Sequence, residues 1–570
     1  MADDYDSSDD ASSDFSSSVA SSMIDGKIFQ LSTEPVHSLL WKHAGASIVS
    51  SFLAIVAKMT IYVQIFYYSG FRPISLFATY QPIIALLCQH PILAFAKASA
   101  GFIGNALAQM QIQIANVYYS HYFFIAAIWA LSVPLLFTSW YQPLTRFITM
   151  ATTSAISFST PYFALMTGMS TIFNIVTIGI SPFARLENRT FMDTVRSGLL
   201  SVLSVLFCSI SYYIAYMYGM TANEGGLAAA GSGVILAHFF VSIWLTMLVF
   251  RKTVLQVTLK GGLKFSTKRL FPLNGRIVLK VFLIGMLHWF LESTDDALAA
   301  MIYIFYGAKY TDRNSMHARR IGFYNYLLMR EAANVINSGL QTGFATTSNY
   351  NLVLRKYSRM YKAMLFTFMF MTISSTVICV VLGPLSNLLF LAIQPRFRES
   401  SDNITLLQKY LKQTGKLAFI TPAFMPAYYI MTVLAQLEGR SLLSILLPIP
   451  RIMTTLVILI ITATMNGDQG DYLLPFPVGD AASAIVGICM FVYSVGRYKV
   501  LSRMDDPDTV QAESNGKTTR TNKPVSETRP PERMLGSGSS LGESGTVRSE
   551  STSSNSASRG RGWESSSNPE

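Results

Sequence analysis

The sequence is poor in charged residues. Only 13% of its 570 residues are Asp, Glu, Lys or Arg, whereas 51% are hydrophobic, and the mean hydropathy is +0.37. So low a charge density argues against a soluble domain and, although the net charge is +12, against a surface that binds nucleic acid. Basic residues at this density are typical of loops that flank membrane helices, so the expected surroundings are a lipid bilayer.

Cysteine is also scarce, and the N-terminus lacks the features of a cleaved signal. Cys88, Cys208, Cys379 and Cys489 lie apart in apolar runs, so we expect packing residues rather than a disulfide framework or a metal site. The opening MADDYDSSDD has neither a basic nor an apolar region. We therefore expect the first membrane helix to direct insertion.

Twelve stretches between Trp41 and Arg503 are long and apolar enough to cross a bilayer. They run over residues 43–67, 74–97, 119–139, 155–180, 194–219, 226–250, 278–306, 320–345, 361–393, 414–436, 442–465 and 477–498. This pattern predicts an all-α, multi-pass membrane protein with about twelve transmembrane helices, and we expect it to be a monomer.

Composition divides the chain into five segments. Residues 1–34 are acidic and rich in Ser, residues 501–570 are rich in Ser, Gly, Glu, Arg and Pro, and both are predicted to be disordered tails. Between the tails, we expect an N-terminal six-helix bundle at 35–250, a basic cytoplasmic linker at 251–276 and a C-terminal six-helix bundle at 277–500.

Two short strings recur in the two halves of the chain. Ala184-Arg-Leu-Glu-Asn-Arg-Thr190 resembles Ala435-Gln-Leu-Glu-Gly-Arg-Ser441, and the Gly/Ala-rich string 225–233 resembles 479–487. Their offsets are nearly equal, which favours a duplicated fold. Because six helices is an even number, the two bundles would share one topology and be pseudo-symmetric about an axis along the membrane normal.

The seventh span carries charged residues where lipid would surround it. His288, Glu292, Asp295 and Asp296 are spaced i, i+4, i+7 and i+8, so they lie along one face of a helix. A charge in the bilayer is costly, so this face is expected to point toward protein or a water-filled cavity. Clustered carboxylates there also gain proton affinity, which suits a group that loads and releases protons.

Other charged residues inside spans have two interpretations each. Arg330 either neutralises a carboxylate of the seventh span or forms a structural salt bridge, and Glu331 either lines the cleft or belongs to that salt bridge. Lys58 is either a counter-ion in the cleft or a side chain that snorkels to a helix end. His288 either shares a proton with Glu292 or donates a hydrogen bond. No ligand spacing predicts a metal.

Several motifs in order along the chain resemble the multidrug and toxic compound extrusion (MATE) family. They are Gln81-Pro82-Ile83, Gly101-Phe-Ile-Gly104 with Ala108-Gln109, Ser348-Asn349 with Arg355 to Arg359, Leu434-Ala-Gln436 with Gly439-Arg440, and Pro477 with Asp480. The resemblance covers roughly residues 36–500. It implies two six-helix bundles that open alternately around a central cleft and export organic cations against H⁺ or Na⁺.

The resemblance also assigns residues, and it fails in one place. Glu292 matches the acidic residue of the family's seventh helix, which binds the coupling ion or the cationic substrate, while Asp295 and Asp296 receive no role. The first span, AIVAKMTIYVQIFYY, contains Lys58, Thr60 and Gln64 but lacks the Asp of many relatives. Ion coupling is therefore expected in the C-terminal bundle.

Three classes of function can be distinguished. The first is a secondary antiporter that exchanges H⁺ or Na⁺ for a small organic cation and needs no cofactor beyond the coupling ion. The second is a flippase for a lipid-linked or amphiphilic substrate on the same superfamily fold, which would need a basic cavity. The third is a membrane-embedded enzyme, which is disfavoured because the sequence has no HExxH and no other intramembrane catalytic pair.

The distribution of loop charge predicts the orientation. Loops after the fourth, sixth, eighth and tenth spans carry most of the Lys and Arg, so both termini are expected in the cytoplasm. Asn403-Ile-Thr405 would then face outward and be glycosylated in a eukaryotic host, whereas Asn188-Arg-Thr190 would not. Asn403→Gln should increase electrophoretic mobility and Asn188→Gln should not. A mobility change in Asn188→Gln alone would reverse the predicted orientation.

Overall fold

The structure is a computed structural model. It describes residues 33–109, 111–149, 153–187, 189–220, 225–250, 263, 273–309, 313–393, 405, 407–408, 418, 421–464 and 474–504. The tails predicted at 1–34 and 501–570 lie almost wholly outside these residues, as do most of the predicted linker and both glycosylation motif asparagines. All described residues belong to one compact unit. We use "N-half" for described residues up to 250 and "C-half" for those from 273.

The described residues form helices and no strands. In the N-half these are α1 (Val36–Ser69), α2 (Phe71–Ile84), a π-turn (Ala85–Gln89), α3 (His90–Ala108), α4 (Ile112–Thr149), α5 (Thr153–Thr177), α6 (Ser181–Leu186), α7 (Thr190–Met217) and α8 (Gly225–Phe250). In the C-half they are α9 (Gly275–Lys309), α10 (Arg313–Ala333), α11 (Val335–Val353), α12 (Tyr357–Ile393), a 3₁₀ turn (Thr421–Phe424), α13 (Pro426–Leu437), α14 (Ser441–Leu446), α15 (Ile449–Thr464) and α16 (Pro475–Met504).

Ten helical segments of the described chain are long and apolar enough to cross a membrane. They correspond to ten of the twelve predicted spans. The predicted eighth span, 320–345, is instead divided between α10 and α11 at Asn334, whose N–H is shared between the carbonyls of Arg330 and Glu331. The predicted tenth, 414–436, continues from the 3₁₀ turn at Pro422 into α13, and α13 has only 12 residues. The first stretch is thus interrupted at a polar residue, Asn334, and the second at the prolines Pro422 and Pro426.

The π-turn between α2 and α3 bends the second span where Pro91 lacks an N–H. Three carbonyls of the turn are bonded instead by side chains of other helices. Trp289 Nε1 donates to the Leu86 carbonyl at 3.0 Å, and Trp129 Nε1 donates to the Leu87 carbonyl at 3.0 Å. Asn174 Nδ2 donates to the Cys88 carbonyl at 3.2 Å. These three carbonyl groups are therefore hydrogen-bonded without water, as a membrane segment requires.

The two halves pack against each other most extensively along two helix pairs. One pair is α1 with α11, and the other is α3 with α9. Each of the three apolar clusters in the described chain contains residues of both halves. Cys88 and Cys208 are buried in this packing as predicted, but Cys489 is exposed, so the packing prediction is wrong for that residue.

Small residues allow α11 to lie directly on α1. Gly339 and Gly343 are four residues apart and face α1, as in a GxxxG contact. A Cβ at Gly343 would lie 2.7 Å from the backbone oxygen of Leu40 and 3.1 Å from Ala44 Cβ. The close approach is therefore a backbone contact that no side-chain movement can relieve.

Gly343→Ala should consequently destabilise the protein by about 1–3 kcal/mol, because it overpacks a contact made by backbone atoms. Gly101→Ala is the matched control, since a Cβ at Gly101 would have nothing within 4 Å and alanine is the better helix former. Thermal unfolding of the purified variants in detergent measures both changes. Equal melting temperatures for the two variants would contradict the close α1–α11 contact.

Candidate functional site between the two halves

Helix α9 lies between the halves and carries the charged face predicted from the sequence. It packs against α2, α3 and α4 of the N-half and against α10, α14 and α15 of the C-half. Its acidic residues accordingly meet protein on both sides and do not lie on the outer wall. The following contacts show that each acid has a different set of partners.

Glu292 accepts two hydrogen bonds on one carboxylate oxygen. Lys97 Nζ on α3 donates to Glu292 Oε1 at 2.6 Å, and Gln436 Nε2 on α13 donates to the same oxygen at 2.7 Å. The Glu292 side chain is 14% accessible. Glu292 is thus held from the C-half by the amide of Gln436 and from the N-half by the ammonium of Lys97.

Two more ion pairs join the halves. On α3, His90 Nε2 lies 2.5 Å from Asp296 Oδ2 of α9, and this pair is ionic when the imidazole is protonated. On α1, Lys58 Nζ donates to Glu331 Oε1 of α10 at 2.5 Å. Lys58 is therefore paired with an acid of the other half, as expected for a counter-ion.

The pair of Lys58 and Glu331 is the most accessible of the three ion pairs. The Lys58 side chain is 50% accessible and the Glu331 side chain is 44% accessible. An ion pair on the outer wall would face hydrocarbon at a high cost in free energy. The accessible surface of this pair is therefore best explained by a polar space between the helices. We use the name "seam" for the three ion pairs that join the halves, together with Gln436. These pairs are Lys97–Glu292, His90–Asp296 and Lys58–Glu331.

Asp295 belongs to a second network that lies within the C-half. Arg330 donates from Nη1 to Asp295 Oδ2 at 2.8 Å, and from Nε and Nη2 to the two oxygens of Asp480 at 3.0 and 3.1 Å. Arg451 contacts Asp295 and also lies 2.6 Å from Asp480. Two arginines and two aspartates thus alternate around a closed ring, and Arg330 neutralises a carboxylate of the seventh span.

The ring is buried on one side and accessible at one corner. Asp480 is 1% accessible and Arg451 2%, whereas Asp295 is 41% accessible. The ring of Phe476 packs against both guanidinium groups, with centroid distances of 4.9 Å for Arg330 and 4.8 Å for Arg451. Charge balance and these contacts allow four ionised groups to remain inside the helical bundle.

The structure leaves the predicted role of His288 open. The side chain is buried, and its Nδ1 has no hydrogen-bond partner among the described residues. No hydrogen bond to Glu292 occurs in the described part of the chain, so proton sharing between them stays a prediction. The described residues also contain no group of three or more His, Cys, Asp or Glu that could hold a metal ion.

Five residues of these two networks were not predicted from the sequence to be site residues. They are His90, Lys97, Gln436, Arg451 and Asp480. Lys97 and Arg451 had a usable signal, since each is a lone basic residue in an apolar stretch, like Lys58. Gln436 and Asp480 were noted only as family motifs. The partner of each acid depends on helix packing, which a single sequence does not specify.

Comparison with known proteins gives a fold but no close relative. No protein-family model matches the sequence. No curated protein is significantly similar to it.

Several solved structures do resemble the protein over most of its length. A MOP superfamily transporter from Pyrococcus furiosus, whose reversed binding-pocket polarity suggests a different function, has a TM-score of 0.67 at 12% identity. An outward-facing multidrug resistance MATE family transporter of the MOP superfamily has a TM-score of 0.67 at 11% identity. A MATE protein in complex with MaL6 has a TM-score of 0.65 at 12% identity. Each comparison covers 82% of this chain and 98% of the other.

These observations define the class of protein as an all-helical, multi-pass membrane protein. Its fold is that of the MATE and MOP transporters, so the resemblance seen in the sequence is confirmed for the fold. At 11–12% identity the likeness concerns the fold alone.

Removing a carboxylate from the arginine–aspartate ring should be costly. Asp480→Asn leaves two buried guanidinium groups with one remaining carboxylate, and we expect a loss of about 3–5 kcal/mol in unfolding free energy. Glu331→Gln is the comparison, because its carboxylate is 44% accessible and should contribute under about 1 kcal/mol. Thermal unfolding in detergent measures both. Similar small losses in the two variants would show that the ring is not a stabilising network.

Proposed function

We propose that the protein is a secondary active antiporter that exports organic cations or other amphipathic compounds in exchange for H⁺ by alternating access. Na⁺ is the second candidate for the coupling ion. The observation that carries the proposal is the ion pair between Lys97 and Glu292, which joins the two halves through a carboxylate that a proton can neutralise. The fold shared with MATE transporters supports the same function.

The seam makes three cations compete for one carboxylate. Lys97 occupies Glu292 when no substrate is bound, so an organic cation must displace the Lys97 ammonium to reach it. A proton on Glu292 removes the charge that attracts both. Proton binding would therefore release the substrate and weaken the contact between the halves, and proton release would restore the site for the next cation.

The same ion pairs are suited to alternating access. Lys58, His90 and Lys97 lie on the N-half, and their partners lie on α9 and α10 of the C-half. Separating the halves at this level exchanges these bonds for bonds to water, substrate or protons. Gln436 belongs to the C-half and stays with Glu292. Glu292 would thus keep its orientation while its cationic partner changes.

A flippase for a phosphate-bearing lipid is less well supported. Such a substrate needs basic groups that are free to bind phosphate. Lys58 and Lys97 are paired with Glu331 and Glu292, and Arg330 and Arg451 are paired with Asp295 and Asp480. The described cations of the seam and ring are thus already neutralised by carboxylates, which favours a cationic or mixed-charge substrate.

Glu292→Gln should abolish proton-coupled transport. The test uses full-length protein in proteoliposomes with an imposed pH gradient and radiolabelled octanoylcholine and octanoylcarnitine. We expect wild-type uptake to follow the gradient and Glu292→Gln to reduce it at least about tenfold, because the amide can neither bind a proton nor attract a cation. Glu34→Gln is the matched control, since Glu34 lies before α1 and contributes its backbone carbonyl to Arg359.

Two results would contradict the proposal. One is gradient-driven uptake by Glu292→Gln at the wild-type rate, which would place coupling elsewhere. The other is gradient-independent accumulation of both compounds by the wild type, which would exclude antiport with protons. Replacing the pH gradient by a Na⁺ gradient in the same vesicles distinguishes the two coupling ions.

A further inference from the structure

The three ion pairs of the seam have the same orientation between the two halves. In all three pairs among the described residues, the basic member lies on the N-half and the acidic member on the C-half. Lys58 is on α1, and His90 and Lys97 are on α3. Their partners Glu331, Asp296 and Glu292 are on α10 and α9. A space opened along the seam would therefore have a basic wall and an acidic wall.

This polarity sets a condition on what can bind. A ligand with a single positive charge can replace Lys97 at Glu292, but it leaves the Lys97 ammonium without its carboxylate in an enclosed site. A ligand with a single negative charge leaves Glu292 unpaired in the same way. Leaving one charge of such a pair uncompensated costs free energy, because the side chains of Lys97 and Glu292 are only 34% and 14% accessible. A ligand that carries both charges replaces both members of the pair and leaves neither unpaired.

The geometry of the seam favours the same kind of ligand. His90 and Lys97 are seven residues apart, which places them on one face of α3 about 10 Å apart along its axis. Glu292 and Asp296 are four residues apart on one face of α9. Gln436 holds Glu292 from the C-half, so the carboxylate stays in place when Lys97 moves away. Two facing rows of opposite charge can receive a ligand lying between them.

We infer that the seam selects amphipathic zwitterions, with Lys97 binding the anionic group of the ligand and Glu292 binding its cationic group. This inference rests on the proposed function, because it names the substrate class of the same site. It makes Lys97 a specificity-determining residue. An organic cation without an anionic group is then a poorer ligand than a zwitterion of similar size.

Matched acyl esters test the inference by binding alone. Octanoylcholine carries one positive charge, octanoylcarnitine adds a carboxylate to the same trimethylammonium ester, and octanoate carries only the negative charge. Titration calorimetry with full-length protein in nanodiscs should show octanoylcarnitine binding at least about tenfold more tightly than either. Equal or tighter binding of octanoylcholine would overturn the inference.

Variants at Lys97 separate a specific contact from general damage. Lys97→Gln should weaken octanoylcarnitine binding about tenfold and leave octanoylcholine binding unchanged or tighter, because Glu292 no longer has a resident cation. Lys97→Arg keeps the charge and should keep the preference for octanoylcarnitine. Lys280→Gln is the control, since Lys280 is an exposed lysine on α9 that lies 4.6 Å over the Phe102 ring. An equal loss for both ligands in Lys97→Gln would overturn the assignment.

The binding and transport experiments test the ligand class and the antiporter separately. Tight octanoylcarnitine binding without gradient-driven uptake would support the ligand class and contradict the antiporter. Gradient-driven uptake together with a preference for octanoylcholine would support the antiporter and contradict the ligand class.

Discussion

The cost of placing a charge among apolar helices governs the organisation of this protein. Most of the described chain is hydrophobic, yet α9 carries three carboxylates and α10 carries an arginine next to a glutamate. Each of these groups lies within hydrogen-bonding distance of a side chain of the opposite acid–base type. The partners come from helices that are distant in sequence. Neutralising these charges therefore brings specific helices together and specifies where they meet.

The neutralisation is divided between two networks that differ in burial and in location. The ring of Arg330, Asp480, Arg451 and Asp295 lies within the C-half and is mostly inaccessible. The seam joins the two halves and is partly accessible. A buried network with every charge balanced is suited to holding helices together. Accessible pairs between two bodies are suited to exchange with water, protons or ligands.

Much of the fold could be predicted from the sequence, because apolar length and charge spacing are local properties. Ten spans followed from runs of hydrophobic residues, and the charged face of α9 followed from the spacing of His288, Glu292 and its neighbours. The break at Asn334 was not predicted because residues 320–345 contain no proline to end a helix. The partners of the acids were missed for a different reason. Whether Lys97 or Arg330 reaches Glu292 depends on which faces of α3, α9 and α10 meet, and this is a property of the packed structure.

Adjacent residues on α9 and on α10 face different partners. Asp295 is bonded to the ring and Asp296 to His90, while Arg330 is bonded to the ring and Glu331 to Lys58. Since consecutive positions on a helix point about 100° apart, each helix forms ion pairs on two of its sides. Rotation of either helix about its long axis would break at least one of these ion pairs. A rearrangement that separates the halves but keeps the ring intact would therefore move α9 and α10 together with α15 and α16.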